Sequence, residues 1–173
     1  MRTIKFTAAL LVLFAALVAS TSAAANVESE QGCLAEAIYY EARGETVAGW
    51  LAVAEVILHR LKSGNHGRTI CSVVYQGVSR HACQFSFACD GSQLHRKSAR
   101  EWRRARDMAA QILSGDIHLA NETEGALFYH ASYVKPRWAH GMMRTAEIGK
   151  HIFYRPADDP FAYEAPVLRL SLW

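Results

Sequence analysis

Glu41 is the side chain in this sequence best placed to move a proton. It lies in the stretch Cys33-Leu-Ala-Glu-Ala-Ile-Tyr-Tyr-Glu-Ala-Arg-Gly-Glu45, where Leu34, Ala37, Ile38 and Glu41 fall at i, i+3, i+4 and i+7. On a helix these four share one face, three apolar and one acidic. Tyr39 and Tyr40 precede the acid, and Gly44 supplies a helix stop one turn later. Desolvation disfavours the charged form of a carboxylic acid, so such a group can stay protonated near neutral pH and act as a proton donor. The competing reading has Glu41 pointing to solvent at the helix end, as most glutamates do.

Acid chemistry often needs a second carboxylate. Glu45 is nearest, but Gly44 breaks the helix between the two acids, and tying the turn or pairing with Arg43 is its expected role. Glu36 falls on the polar side of the first helix and reads as solvated, and Asp90 reads as the cap of a turn. The eight histidines, 59, 66, 81, 95, 118, 130, 140 and 151, contain no His-x-x-x-His pair and no His-Glu-x-x-His motif. No metal and no cofactor is expected.

Residues 1–25 combine Arg2 and Lys5, an uncharged run from Ala8 to Val18 and the small residues Ser22-Ala-Ala-Ala25. This is the pattern of a signal peptide, too short for a comfortable membrane span. The expectation is an exported protein, periplasmic or extracellular, with no stable membrane insertion after cleavage. Without that segment 17 Lys and Arg face 16 acids, a net charge of about +1 that gives no nucleic-acid signature. Arg96, Lys97, Arg100, Arg103, Arg104 and Arg106 read as the solvated face of one helix.

The elements that must hold these groups can be read in order. Residues 26–32 form a short polar leader. A helix from Thr46 to Lys62 carries the stripe Trp50, Val53, Ala54, Ile57, Leu58 and Leu61, with Glu55 and Arg60 off it. Thr69 to Tyr75 is one or two helical turns. Cys83-Gln-Phe-Ser-Phe-Ala-Cys89 alternates polar and aromatic residues as a strand or hairpin arm does. Ser98-Ala-Arg-Glu101 spells a capping box for a helix with Trp102, Ala105, Ala109 and Ile112 inside. Ala126 to Ala131 reads as a strand and Lys135 to Trp138 as a loop. Thr145–Ile148 and His151–Arg155 read as a hairpin, and 156–173 as an extended tail. The sum is α+β, helices first and then a small antiparallel sheet.

Cys33, Cys71, Cys83 and Cys89 are even in number in an exported chain, which implies disulfides with three possible connectivities. Two antiparallel helices return the chain from Lys62 towards Cys33, which favours Cys33–Cys71 with Cys83–Cys89 as a local clasp. Zinc is the rival, but no pair has zinc-knuckle spacing.

The blocks Ala37-Ile-Tyr-Tyr-Glu-Ala-Arg-Gly-Glu45, Ala52-Val-Ala-Glu-Val-Ile-Leu-His-Arg60, Cys83-Gln-Phe-Ser-Phe87 and Asp90-Gly91 together resemble the SleB/CwlJ-type cell wall hydrolases. Phe128-Tyr-His130 and Trp138 resemble the family's later block. The resemblance implies a lysozyme-like α+β catalytic domain, spanning 33–155 here, that acts on the glycan strands of peptidoglycan. It puts the family's acid on Glu41 and a wall of the cleft on Gln84-Phe85-Ser86, with Phe87 where many relatives carry Trp.

For that substrate Gln84 and Ser86 are candidates for acetamide and hydroxyl edges. Tyr40, Phe85, Tyr129 and Trp138 are candidates for sugar faces, core packing being the competing role of each aromatic. His130 joins Tyr129 through the resemblance, and Arg43 could orient a carboxylate or sit in a buried salt bridge. With no convincing partner for Glu41, a single-acid lytic transglycosylase is favoured over a hydrolase. A zinc amidase cutting the peptide stem and a non-catalytic wall-binding module are the alternatives.

Overall fold

The structure, a computed structural model, describes residues 29–158. The expected signal peptide and all but the first residues of the expected tail lie outside the described residues.

The first helix, α1, covers 29–42 among the described residues, so the expected leader is already helical by residue 29. Leu34, Ala37 and Ile38 are fully buried on one face. Gly44 (φ 87°) ends the run, and the indole Nε1 of Trp50 donates to Ala42 O at 2.9 Å. One orphan carbonyl of the helix end is thereby satisfied from the next helix.

That helix, α2 (Val47–Ser63), starts at the N-cap Thr46 and stops at Gly64 (φ 70°). It is the centre of the molecule. Trp50, Val53, Ala54, Ile57 and Leu58 pack with α1 in the larger core, while Ala52 and Val56 pack with Ala126 and Phe153 in a smaller one beside the sheet. Being covered on two sides, α2 buries Glu55 and Arg60 as well, contrary to the single stripe read from the sequence. Glu55 accepts from Glu122 N (3.1 Å), Thr123 N (2.8 Å) and Thr123 Oγ1 (2.8 Å) and so fixes the loop before the sheet.

A short helix, α3 (Ile70–Val74), has a Thr69/Ser72 capping box, and the Glu30 carboxylate accepts from Ile70 N. Cys71 on α3 is bridged to Cys33 on α1, and Cys83 to Cys89. The second bridge explains why residues 83–89 are not the expected strand. Six extended residues span about 20 Å, whereas the bridged Cα atoms are 6.0 Å apart. The loop closes through a 3-10 turn, Ser86–Ala88, and buries both Phe85 and Phe87.

Helix α4 (Ala99–Ser114) buries Ala105, Ala109, Ile112 and Leu113. Ser98 is its N-cap, but the expected capping box does not form. Ser98 N instead donates to the Tyr39 hydroxyl at 2.9 Å, and Glu101 pairs with Arg100 and Arg104. Lys97 leaves the basic face to pair with Glu36 at 2.9 Å; Glu36 also accepts from the Tyr75 hydroxyl and is not simply solvated.

Strands β1 (Phe128–Ala131), β2 (Met143–Ile148) and β3 (His151–Arg155) form an antiparallel sheet in the order β1-β3-β2. Tyr129 is paired with Phe153 and His130 with Ile152. Pleating puts Tyr129, His151 and Phe153 on the face towards α2, and Phe128, His130 and Tyr154 on the other.

Candidate active site

A cleft of about 490 Å³ opens between the end of α1 and the sheet. Tyr40 and Glu41 come from α1, Arg60 from α2, and Gln84, Ser86, Phe87, Asp90 and Ser92 from the clasped loop and the turn after it. The sheet side contributes Tyr129, His130, Ala131, Tyr133 and His151.

Glu41 Oε2 accepts a hydrogen bond from the Tyr129 hydroxyl at 3.0 Å, across 88 residues of chain. Burial raises the Glu41 pKa above the ordinary carboxylate value. The Tyr129 bond opposes that rise, the Asp90 charge adds to it and Arg60 pulls it down. The net direction is upward, so Glu41 keeps its proton further into the neutral range than a free glutamate does. Burial, and then the charge of Glu41, push the Tyr129 phenol well above its usual range, so it remains a donor.

The residues singled out by sequence divide in their placement. Tyr40, Gln84, Ser86, Tyr129 and His130 line the cleft with Glu41. Tyr40 stacks on Phe87 with centroids 4.8 Å apart, so one of its faces is already covered. His130 is engaged at both nitrogens, Nδ1 with Ala131 O at 2.9 Å and Nε2 with the Tyr154 hydroxyl at 3.1 Å. A carbonyl can only accept, so Nδ1 carries the hydrogen and Nε2 accepts from Tyr154.

Three candidates lie elsewhere. Phe85 is 2% exposed and packs near Phe87 and Tyr129, so it supports the cleft from behind while Phe87 lines it. Trp138 packs on Phe128, His130 and Tyr154, the outer face of the sheet. Arg43 is exposed and its Nη1 donates to the Tyr39 hydroxyl at 3.2 Å, in neither of the roles expected for it. Glu45 ties neither the turn between the two helices nor Arg43; it reaches the β2–β3 bend, accepting from Lys150 N at 3.3 Å and pairing with Lys150 Nζ at 3.8 Å.

Sequence reasoning did not single out Arg60, His151, Phe87, Ser92 or Tyr133 for the site, and it gave Asp90 only a capping role. A signal for Arg60 was present, because Val53, Ile57 and Arg60 keep the i, i+4, i+7 spacing of a buried face. Asp90 does cap, accepting from Ser92 N at 2.8 Å, and it also lines the cleft. Hydrogen bonds from Ser92 hold its carboxyl below the usual range, the opposite direction to Glu41. His151 turns a buried Nδ1 without a hydrogen-bond partner inward, and burial lowers its pKa, keeping it neutral. Among the described residues no three His, Cys, Asp or Glu side chains converge to hold a metal ion.

A helix-borne acid whose pKa is raised by burial faces a small sheet across an open cleft. The sequence pattern of the cell wall hydrolases matches residues 44–154, and the chain belongs to that family. Within it the chain is similar to the spore cortex-lytic enzyme of Bacillus subtilis (strain 168), 30% identical over 121 residues, 69% of this chain and 35% of the relative. The spore cortex-lytic enzyme of Oceanobacillus iheyensis is 31% identical over 121 residues, again 69% of this chain and 39% of the relative. The chain thus spans little more than a third of the length of these relatives.

Among solved structures, the catalytic domain of the Bacillus cereus SleB protein superposes with a TM-score of 0.55 at 28% identity, covering 74% of this chain and 91% of that domain. The catalytic domain of the germination-specific lytic transglycosylase SleB from Bacillus anthracis gives 0.55 and 28%, over 73% and 93%. The fold is the lysozyme-like α+β type of these domains.

Proposed function

We propose that this protein cleaves the glycosidic bond after N-acetylmuramic acid in peptidoglycan, as a lytic transglycosylase that uses Glu41 as its only acid and base. The observation that carries this reading is Glu41 itself: its pKa raised by burial, its carboxyl oriented by Tyr129 and open to a cleft. Glu41 gives its proton to the bridging oxygen as the C1–O bond breaks and the electron pair stays on that oxygen. The 6-hydroxyl of the same muramic residue then attacks C1 and its proton passes to the Glu41 carboxylate. The acid is regenerated, a 1,6-anhydro end is left, and no water is consumed.

The similarity to a lytic transglycosylase catalytic domain supports the same reading. Gln84, Ser86 and Ser92 offer polar edges to the sugars, and Tyr133, 83% exposed at the rim, offers a flat face. The catalytic domain is taken as residues 33–155, exported to the cell wall by the segment before it; no helix among the described residues is long and apolar enough to cross a membrane.

A second reading, hydrolysis, is favoured by one observation: Asp90, its pKa lowered, shares the cleft with Glu41, its pKa raised, and two carboxyl groups shifted in opposite directions are the tools of a glycosidase. Digestion of purified peptidoglycan followed by mass analysis separates the two. Muropeptides lighter by one water support transglycosylation, and reducing muramic ends support hydrolysis. Free stem peptides would indicate an amidase, and binding to sacculi without products a wall-binding module.

A further inference from the structure

Arg60 is the buried charge that this chemistry leaves unused. It is 4% exposed and held at three points. Its Nε donates to Leu127 O at 2.7 Å, and its guanidinium lies 5.1 Å from the centre of the Phe85 ring and 5.5 Å from that of Phe128. Two ring faces and a carbonyl steady a cation, but none of them carries a negative charge. Nη1 is buried and has no hydrogen-bond partner among the described residues. A desolvated cation without a counter-ion is a costly arrangement to keep.

Arg60 and Glu41 line the same cleft. Burial favours the neutral form of Glu41, which is hydrogen-bonded to Tyr129. Once it has protonated the leaving oxygen, a negative charge appears on a half-buried carboxyl in that cleft. We propose that Arg60 is the standing counter-ion for that transient carboxylate, its spare Nη1 taking one oxygen while Tyr129 keeps the other. This rests on the reading of Glu41 as the acid in glycan cleavage. Arg60 acts through Glu41 and is therefore a positioning residue: it makes the proton easier to release and holds the carboxylate in place to recover one.

The remaining groups around Glu41 do not substitute for it. Asp90 is negative and opposes ionisation. His151 is kept neutral by burial, His130 is engaged at both ring nitrogens, and Tyr40 on the same helix offers only a phenol.

The test begins with the native protein. The buried Arg60 Nε–H should give a separate 15N–1H resonance that moves with the Glu41 titration and stays still in Glu41→Gln. In Arg60→Met, losing an opposite charge should raise the Glu41 midpoint by about one pH unit. The alkaline limb of kcat/KM moves up with it while the plateau rate drops about tenfold. Arg60→Lys should return the limb towards its original place. A still Arg60 signal in the native protein, or a folded Arg60→Met with midpoint and limb unmoved, overturns the proposal. If Arg60→Met does not fold, the native titration alone decides. Product analysis judges the glycan reading separately: stem peptides released while the Arg60 signal still follows Glu41 would sink that reading and leave the ion pair standing.

Discussion

Two glutamates fourteen residues apart, one buried and one half-buried, meet opposite surroundings. Glu55, 1% exposed in the middle of α2, receives three donors from residues 122 and 123. Glu41, at the end of α1, has one hydroxyl, from Tyr129. Burial alone therefore says little about what an acid does. The number of donors aimed at it separates a structural tie from a group left free to exchange its proton. Glu55 holds the loop that leads into β1, and β1 carries the Tyr129 that orients Glu41. The tie and the acid belong to one assembly.

The sharpest way to break the comparison is to make the same change at both sites. Glu41→Gln should lower turnover about a thousandfold, since the amide has no acidic proton, and leave the fold intact. Glu55→Gln should do the reverse: an amide facing three donors destabilises by about 3 kcal/mol in urea unfolding, with activity per folded molecule retained. Similar losses of activity in both variants, at equal folded fraction, would end the distinction.

The pH dependence sharpens it. A carboxylate whose folded pKa is raised binds its proton more tightly in the native state, so it lowers stability as pH rises from the unfolded pKa through the folded one. Glu41→Gln, which cannot ionise, should match the parent at pH 4 and be the more stable of the two above that window. Equal stability at both pH values would mean that Glu41 is not held protonated.

A smaller effect is expected from the single donor. Tyr129→Phe removes a bond that favours the ionised form, so the Glu41 pKa rises and the alkaline limb of kcat/KM moves up by roughly half a unit to one unit. The maximal rate should fall about tenfold while KM changes little. An unshifted limb would deny Tyr129 its orienting role.

What the sequence displayed depended on whether the physics was local. The α1 face that carries Glu41 follows from 3.6-residue spacing alone, and so does the buried side of α4. Arg60 and Glu55 were read as off the stripe because a single stripe assumes one covered side, and α2 has two. The alternation at 84–87 imitated a strand, but a seven-residue bridged ring cannot be extended, and its turn sends Phe85 and Phe87 inward together. The capping box at Ser98 gave way to Tyr39, a partner 59 residues away. The Tyr129–Glu41 contact spans 88 residues and leaves no mark in any spacing.

Glu45 has a consequence for how the cleft keeps its shape. One turn beyond Glu41, its carboxylate reaches Lys150 at the β2–β3 bend and lies against Gly149, where a Cβ would collide with it. The bend that leads into His151 is thus braced to the helix end that carries the acid. Because Glu45, Gly149 and Lys150 do not line the groove, this brace sets the spacing of its two banks from outside it.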